Sequence, residues 1–502
     1  MSIHWARGRK LAQSLAARRF PGRLLAICAA ALMLGWPAIY SGFPLLFPDS
    51  MTYLDDGRTV ARAVFLHQFS DYYGMRSFYY SLGILPFHWN VTAWPVVGLQ
   101  NLIIAWVVWL VVRSFVAHRT AGYYLILMMF LSLLTGMGWY ASFIMPDILG
   151  PVLYLSIYLL VCAPETLSRG ERIALYPMGV WAITGHATHL PLAVALCALL
   201  ALISACQGRD FLRRARGLAE VAAMIALAAA AQIALHGYLY GKPTLNGERP
   251  PYLMVRIIAD GPGRWYLEKH CASEQWVACK RAAGLSDDAN SLLWDADGFY
   301  DGATDEEADR LAEEETPFVL AAVRSYPREQ FLRSAANFGE QLTTFGLFGF
   351  HPNDWTLEQF NEAMPAARAS YLRSRQARNA LPLRLLSTIQ LYAVLVSLAA
   401  MAVLIPLLWR RHSPRLAGLS LVIVSVIVLN ALLTGVLSGP DDRYQGRVIW
   451  LVPLLAGIYL MDWLVQRKAS EETTQAGSSA GTGRGVRASA AAMKTMGKNS
   501  SV

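Results

Sequence analysis

The chain alternates between long, nearly unbroken apolar blocks and short polar connections, with one long polar interruption in its second half. Blocks near twenty residues match the thickness of a bilayer's hydrocarbon core. They are continuous, not alternating, so they predict transmembrane helices and not the strands of a β-barrel. Such blocks cover residues 24–40, 92–112, 122–139, 148–162, 218–239, 386–409, 416–437 and 448–465. Two shorter apolar legs within 173–206 flank the turn "TGHATHLP" and read as spans or half-helices. The expectation is an all-α polytopic membrane protein with about ten transmembrane or half-membrane helices. The stretch "RSFYYSLGILPFHW" (76–89) is too short and too polar at its ends to span, and reads as an interfacial helix with aromatic anchors.

Charge sets the orientation. Of 502 residues only 16% are charged, against about 25% in soluble proteins, and mean hydropathy is +0.34. The net charge of +9 does not point to nucleic acid: basic clusters such as "SRGER", "GRDFLRRAR" and "WRRHSPR" sit between apolar blocks, which is the positive-inside pattern. Residues 1–23 are then a cytosolic basic N-terminus. No small-x-small cleavage site follows the first block, so it reads as an uncleaved span and not a signal peptide. Residues 24–239 form a membrane domain with an outer loop at 41–90. Residues 240–382 form a mostly helical periplasmic module holding more than half of the 35 acidic residues, and 383–468 return to the membrane. The Ser-, Gly-, Ala- and Thr-rich segment 469–502 reads as a disordered cytosolic tail. Cys28, Cys162, Cys197 and Cys206 lie in or beside apolar blocks. Cys271 and Cys279, eight apart in the outer module, are the candidate disulfide.

With this topology the unusual polar residues gather at one face. Ionisable groups beside spans are costly unless solvated or paired, so they are functional candidates. In "FPDSMTYLDDGR" Asp49 lies nearest the span and is the candidate general base, or else a helix cap; Asp55 and Asp56 are expected to be solvated. Asp147 in "IMPDILG" is a second candidate catalytic carboxylate, or again a cap. His186 and His189 are candidates for substrate hydrogen bonds. With the carboxylates they are also chemically compatible with a divalent metal ion, although the pair alone does not define a site. In "SGPDDRYQGR" Arg443, Tyr444 and Arg447 are candidate phosphate contacts, the alternative being a charged hairpin turn. Arg375 and Arg378, in an arginine-rich run before a late span, suit lipid phosphate at the interface, whether of substrate or of bulk lipid. "DADGFYD" lacks the glycine placement of an EF-hand, and no P-loop, GxSxG or HExxH motif stands in a suitable context.

The layout resembles the GT-C superfamily of polytopic glycosyltransferases, which use polyprenyl-phosphate sugars on the outer side of a membrane. "FPDSMTYLDDG" stands where that family keeps a catalytic first-loop acid, and "RSFYYSLGILPFHW" where it keeps an interfacial helix. The paired-acid form of the first-loop motif is absent, since Ser50 follows Asp49. The resemblance implies Asp49 as acid/base, Asp147 as second-loop carboxylate and Arg443 as a phosphate contact. It implies an inner-membrane bacterial enzyme with a periplasmic active face. A membrane lipid, a polyprenyl-phosphate-linked sugar and a glycan or lipid acceptor would be its partners. The rivals are a polysaccharide polymerase or O-antigen-ligase-like enzyme, relying more on Arg and His, and a non-enzymatic transporter of lipid-linked glycan.

Overall fold

A computed structural model describes residues 22–468 except 71–72, 117–119, 208–210, 246, 248, 283–284 and 409–412. The expected cytosolic N-terminus, all but its last two residues, and the tail from 469 lie outside the described residues. Among those described there is no β-strand; one isolated parallel bridge joins Leu45 to Phe143. Helices of six or more residues are numbered here. They are α1 (Gly22–Ser41), α2 (Pro48–Leu66), α3 (Phe78–His88), α4 (Trp94–Phe115), α5 (Thr120–Leu134), α6 (Leu149–Cys162), α7 (Arg169–Gly185), α8 (His189–Cys206) and α9 (Arg214–Tyr240). Residues 240–382 add α10 (Tyr252–Asp260), α11 (Pro262–His270), α12 (Ala289–Trp294), α13 (Asp305–Ser325), α14 (Pro327–Thr343) and α15 (Asp354–Ala363). The chain closes with α16 (Leu383–Leu408), α17 (Pro414–Leu437) and α18 (Asp442–Lys468).

Seven helices among the described residues are long and apolar enough to cross a membrane: α1, α4, α8, α9, α16, α17 and α18. The other three spans expected from sequence fall on shorter helices, α5, α6 and α7. Of these α6 is central. Every residue from Leu149 to Val161 is buried, because α4, α7, α9 and α17 surround it. A helix apolar all round is stable only in such a position. Gly217 of α9 and Gly418 of α17 let their backbones close on its C-terminal end, where a Cβ would strike Val161 or Cys162. The N-terminus of α6 is therefore buried too, and whatever precedes it is held at the centre of the bundle.

Residues 254–322 build a second hydrophobic cluster around Met254, Ile258, Leu267 and Phe318. Cys271 and Cys279 are joined there in a disulfide.

Candidate functional site

The site grows from a short internal likeness. "LLFPD" ends at Asp49 and "FIMPD" ends at Asp147: in each, three apolar residues precede Pro-Asp. The isolated bridge pairs their first residues, Leu45 and Phe143, with Leu45 N–H donating to Ser142 O and Ile144 N–H donating to Leu45 O, both at 3.0 Å. Gln376 brackets Leu46 from one side, and Gln100 donates to Phe143 O at 2.7 Å from the other. Each proline then opens a helix at its first position, where a missing N–H costs nothing. Neither aspartate caps its helix. At α2 the Ser50 hydroxyl accepts from Phe47 N–H, which leaves the Asp49 carboxylate uncommitted to backbone.

Both carboxylates turn to Arg443. Its Nε and Nη2 donate to the two oxygens of Asp147 at 3.0 Å each, a bidentate pair, and its Nη1 stands 3.6 Å from Asp49 Oδ2. The other Asp49 oxygen is 2.6 Å from Arg76, which also donates to the Tyr252 hydroxyl at 3.2 Å. Arg447 follows one turn after Arg443. Its Nη2 donates to Thr188 Oγ1 and Asn430 Oδ1 at 3.1 and 3.0 Å, and its Nη1 lies 3.7 Å from Asp147. The alternative reading of 438–447 as a charged hairpin turn does not hold: the segment is largely the start of α18, because Asp441 caps it by accepting from Arg443 N–H. That correction puts Arg443, Tyr444 and Arg447 on the first two turns of a long helix.

The two acids differ in access. Asp147 is fully buried, with both oxygens engaged, whereas the Asp49 side chain keeps 13% of its surface exposed. Burial would lower the proton affinity of Arg76, but Asp49 beside it raises that affinity above the ordinary guanidinium range. His186 and His189 stand with rings 5.3 Å apart. His189 Nδ1 faces Ala182 O at 2.7 Å, so that nitrogen carries the proton and Nε2 is a bare acceptor, with no partner among the described residues. His186 is held well below the usual imidazole range by burial and then by Arg447. Arg447 Nε and Nη1 likewise make no hydrogen bond.

Tyr444 lies under the Arg447 guanidinium, 5.6 Å from the ring centroid, and joins the edge of the cluster. Arg375 and Arg378 do not join it. Arg375 sits on the Tyr40 ring at 4.5 Å and donates its N–H to Ser41 O; Arg378 donates to Ser374 O. Both are exposed beside the end of α1.

Asp55 is partly exposed, 3.7 Å from Arg58. Asp56 departs from the solvated position expected of it. It is buried beneath the segment ending at Arg76, Oδ1 accepting from Gly74 N–H at 3.1 Å and Oδ2 without a partner, and burial pushes its pKa up to about 7. Sequence reading also missed Arg76, although it directly precedes Ser77, the cap of α3. It missed Asn430 and Thr188 as well, which look like ordinary span and turn residues until Arg447 reaches them.

Among the described residues, no group of three or more His, Cys, Asp and Glu could hold a metal ion. Both carboxylates already face guanidinium groups, so the donor set does not fit the divalent ion that the sequence left open.

An apolar groove of about 460 Å³ opens between α3, α7 and α9, lined by Tyr79, Tyr176, Val180, Trp181, Thr184 and Leu227 among others. One lining residue is tied to the chain beside the cluster: Thr184 O accepts from Ser77, the residue after Arg76. An aromatic series runs from Trp181, stacked on Tyr80, to Tyr53, one turn beyond Asp49. No family model matches this sequence, and neither a curated protein nor a solved structure matches it at a significant level.

Proposed function

We propose that this chain is an integral-membrane glycosyltransferase of GT-C-like type in the inner membrane of a bacterium. It moves a sugar from a polyprenyl-phosphate carrier to a hydroxyl of an envelope glycan or lipid on the periplasmic face. The observation that carries the reading is the meeting of two loop carboxylates on one arginine. Around them three arginines face two aspartates, while burial keeps the adjacent His186 neutral. The cluster has one positive charge in excess, and Arg447 has buried N–H groups to spare. A phosphate would supply the missing negative charge, and an isoprenoid tail suits the apolar groove whose lining residue Thr184 accepts from Ser77, the neighbour of Arg76 in the chain.

In this mechanism Asp49, the accessible acid, accepts the proton of the acceptor hydroxyl as its oxygen attacks the anomeric carbon. The bond from that carbon to the phosphate oxygen breaks, and the carrier leaves as polyprenyl phosphate. Arg76 and Arg443 stabilise the charge that grows on the phosphate, where fixed donors count most. Asp147 serves by holding Arg443 in place. A ligase-like or polymerase reading is favoured by one feature, the Arg447 Nε and Nη1 groups that make no hydrogen bond, together with the bare His189 nitrogen; there Arg447 and His189 would handle the substrate and Asp49 would be secondary.

Asp49→Asn keeps shape and removes the base. Membranes bearing it should fold normally, accumulate polyprenyl-phosphate sugar and lose transfer by about 10²- to 10⁴-fold. Full transfer in Asp49→Asn with loss in His189→Ala would establish the ligase-like reading instead.

A further inference from the structure

Helix α14 is amphipathic in the wrong sense for a water-facing helix. Its inward face is polar. Gln330 and Asn337 each donate to the buried Asp260 at 2.9 Å, and Gln341 donates to Asp441 O at 2.8 Å and accepts from Asp441 N–H. Its outward face is apolar: Phe331 is 71% exposed and Leu332 54%, with Ala335 and Ala336 exposed behind them. These fall at helical spacing, one stripe opposite the hydrogen-bonded one. In water a helix buries its apolar stripe and shows its polar one. The reverse arrangement needs an apolar surrounding.

Position identifies that surrounding. The helix packs on α17, a candidate membrane span, and Asn337 O would lie 2.8 Å from a Cβ at Gly435, near that span's last turn. The Gln341 end of α14 reaches Asp441 in the connection that follows α17, and Asp260, bonded by Gln330 and Asn337, pairs with Arg256, which lies close to Gly439 of the same connection. The helix therefore packs against the C-terminal part of that span, close to the connection that follows it. Val424, Val428 and Leu432 of α17 are exposed at four-residue intervals, an apolar stripe suited to lipid. Arg324, Arg328 and Arg333, all exposed, stand around the N-terminal half of α14.

We propose that α14 is an interfacial helix, seated in the outer headgroup layer with Phe331 and Leu332 in the acyl region and Arg324, Arg328 and Arg333 on phospholipid phosphates. The residues around 327–343 then belong to the bilayer and not to the aqueous module in which their polar neighbours place them. Long basic side chains reach phosphate while their stems stay apolar, and helices of this composition bury about 5–10 Å into the interface. The inference stands apart from the transfer reaction.

The test is spin-label accessibility in the full-length protein, its free cysteines replaced. The host is proteoliposomes of phosphatidylethanolamine and phosphatidylglycerol. Labels go at Phe331→Cys, Leu332→Cys, Arg328→Cys and, as an aqueous reference, Glu306→Cys. The expected result is a ratio of oxygen to nickel-chelate collision several-fold higher at 331 and 332 than at 306, with 328 between. A ratio at 331 equal to that at 306 overturns the proposal, because the stripe then faces water. Labels at 331 and 332 immobilised and shielded from both reagents also overturn it, because a protein partner or second copy then covers the stripe.

Discussion

The arginine–aspartate cluster and the ion pairs of the module at residues 240–382 use the same side chains to opposite ends. In the module, Arg264 pairs with an Asp287 whose side chain is 86% exposed. In the cluster, Asp147 and Arg447 have no exposure at all. Solvent-exposed pairs contribute little because water screens them and both side chains lose freedom. Buried charges are expensive to desolvate, and a chain that keeps three of them, Asp147, Arg443 and Arg447, in one place needs a use for them. Charge that merely decorates a surface and charge that is concentrated for chemistry are told apart by burial, not by residue type.

Three perturbations sharpen this contrast, in falling order of effect. Arg443→Ala leaves Asp147 buried without its bidentate partner. It should cost about 3–5 kcal/mol of stability, read as a large drop in the thermal midpoint of the detergent-solubilised protein. A midpoint within a degree of wild type would mean that water reaches Asp147 and that the cluster is not dry.

Asp56 gives an intermediate effect with a definite sign. Its pKa is about 7 when folded, against about 3.9 in an unfolded chain. The folded state therefore holds more protons between these values. The stabilising contribution is complete below about pH 4, declines as pH rises, and is gone above about pH 7. Buried histidines such as His186, held well below the usual imidazole range, pull the other way, so the check is a difference: between pH 5 and pH 8 the thermal midpoint of Asp56→Asn should rise more, or fall less, than that of wild type. A pH dependence unchanged in Asp56→Asn would place its source elsewhere.

Arg264→Ala, in the module, should cost less than about 1 kcal/mol, and 0.5 M salt should erase the difference. A cost matching that of Arg443→Ala would end the distinction between the two regions.

The sequence exposed what is local and continuous. Spans such as α17 are legible because every residue in them faces lipid or protein. Asp49 and Asp147 are legible as acids that follow proline at the edge of an apolar block. Their meeting on Arg443 is not, because 296 residues separate Asp147 from that arginine and only the packing of α18 against α6 joins them. Asp56 was misread because its burial depends on a later segment folding back with Gly74 over it. The polarity of α14 was hidden for a similar reason. Gln330 and Asn337 look like surface residues until Asp260, far earlier in the chain, supplies their partner.

The bridge between Leu45 and Phe143 has a consequence for how this protein tolerates change. Each aspartate lies four residues beyond its bridged residue, so one rung measures out both acids. Insertions upstream of either rung lengthen a connection and leave its acid where it was. A single residue gained or lost between rung and aspartate moves the start of the helix that follows, and with it the carboxylate's reach to Arg443. The five-residue segments 45–49 and 143–147 thus act as a matched pair of rulers, fixed in length while the loops around them are free to vary.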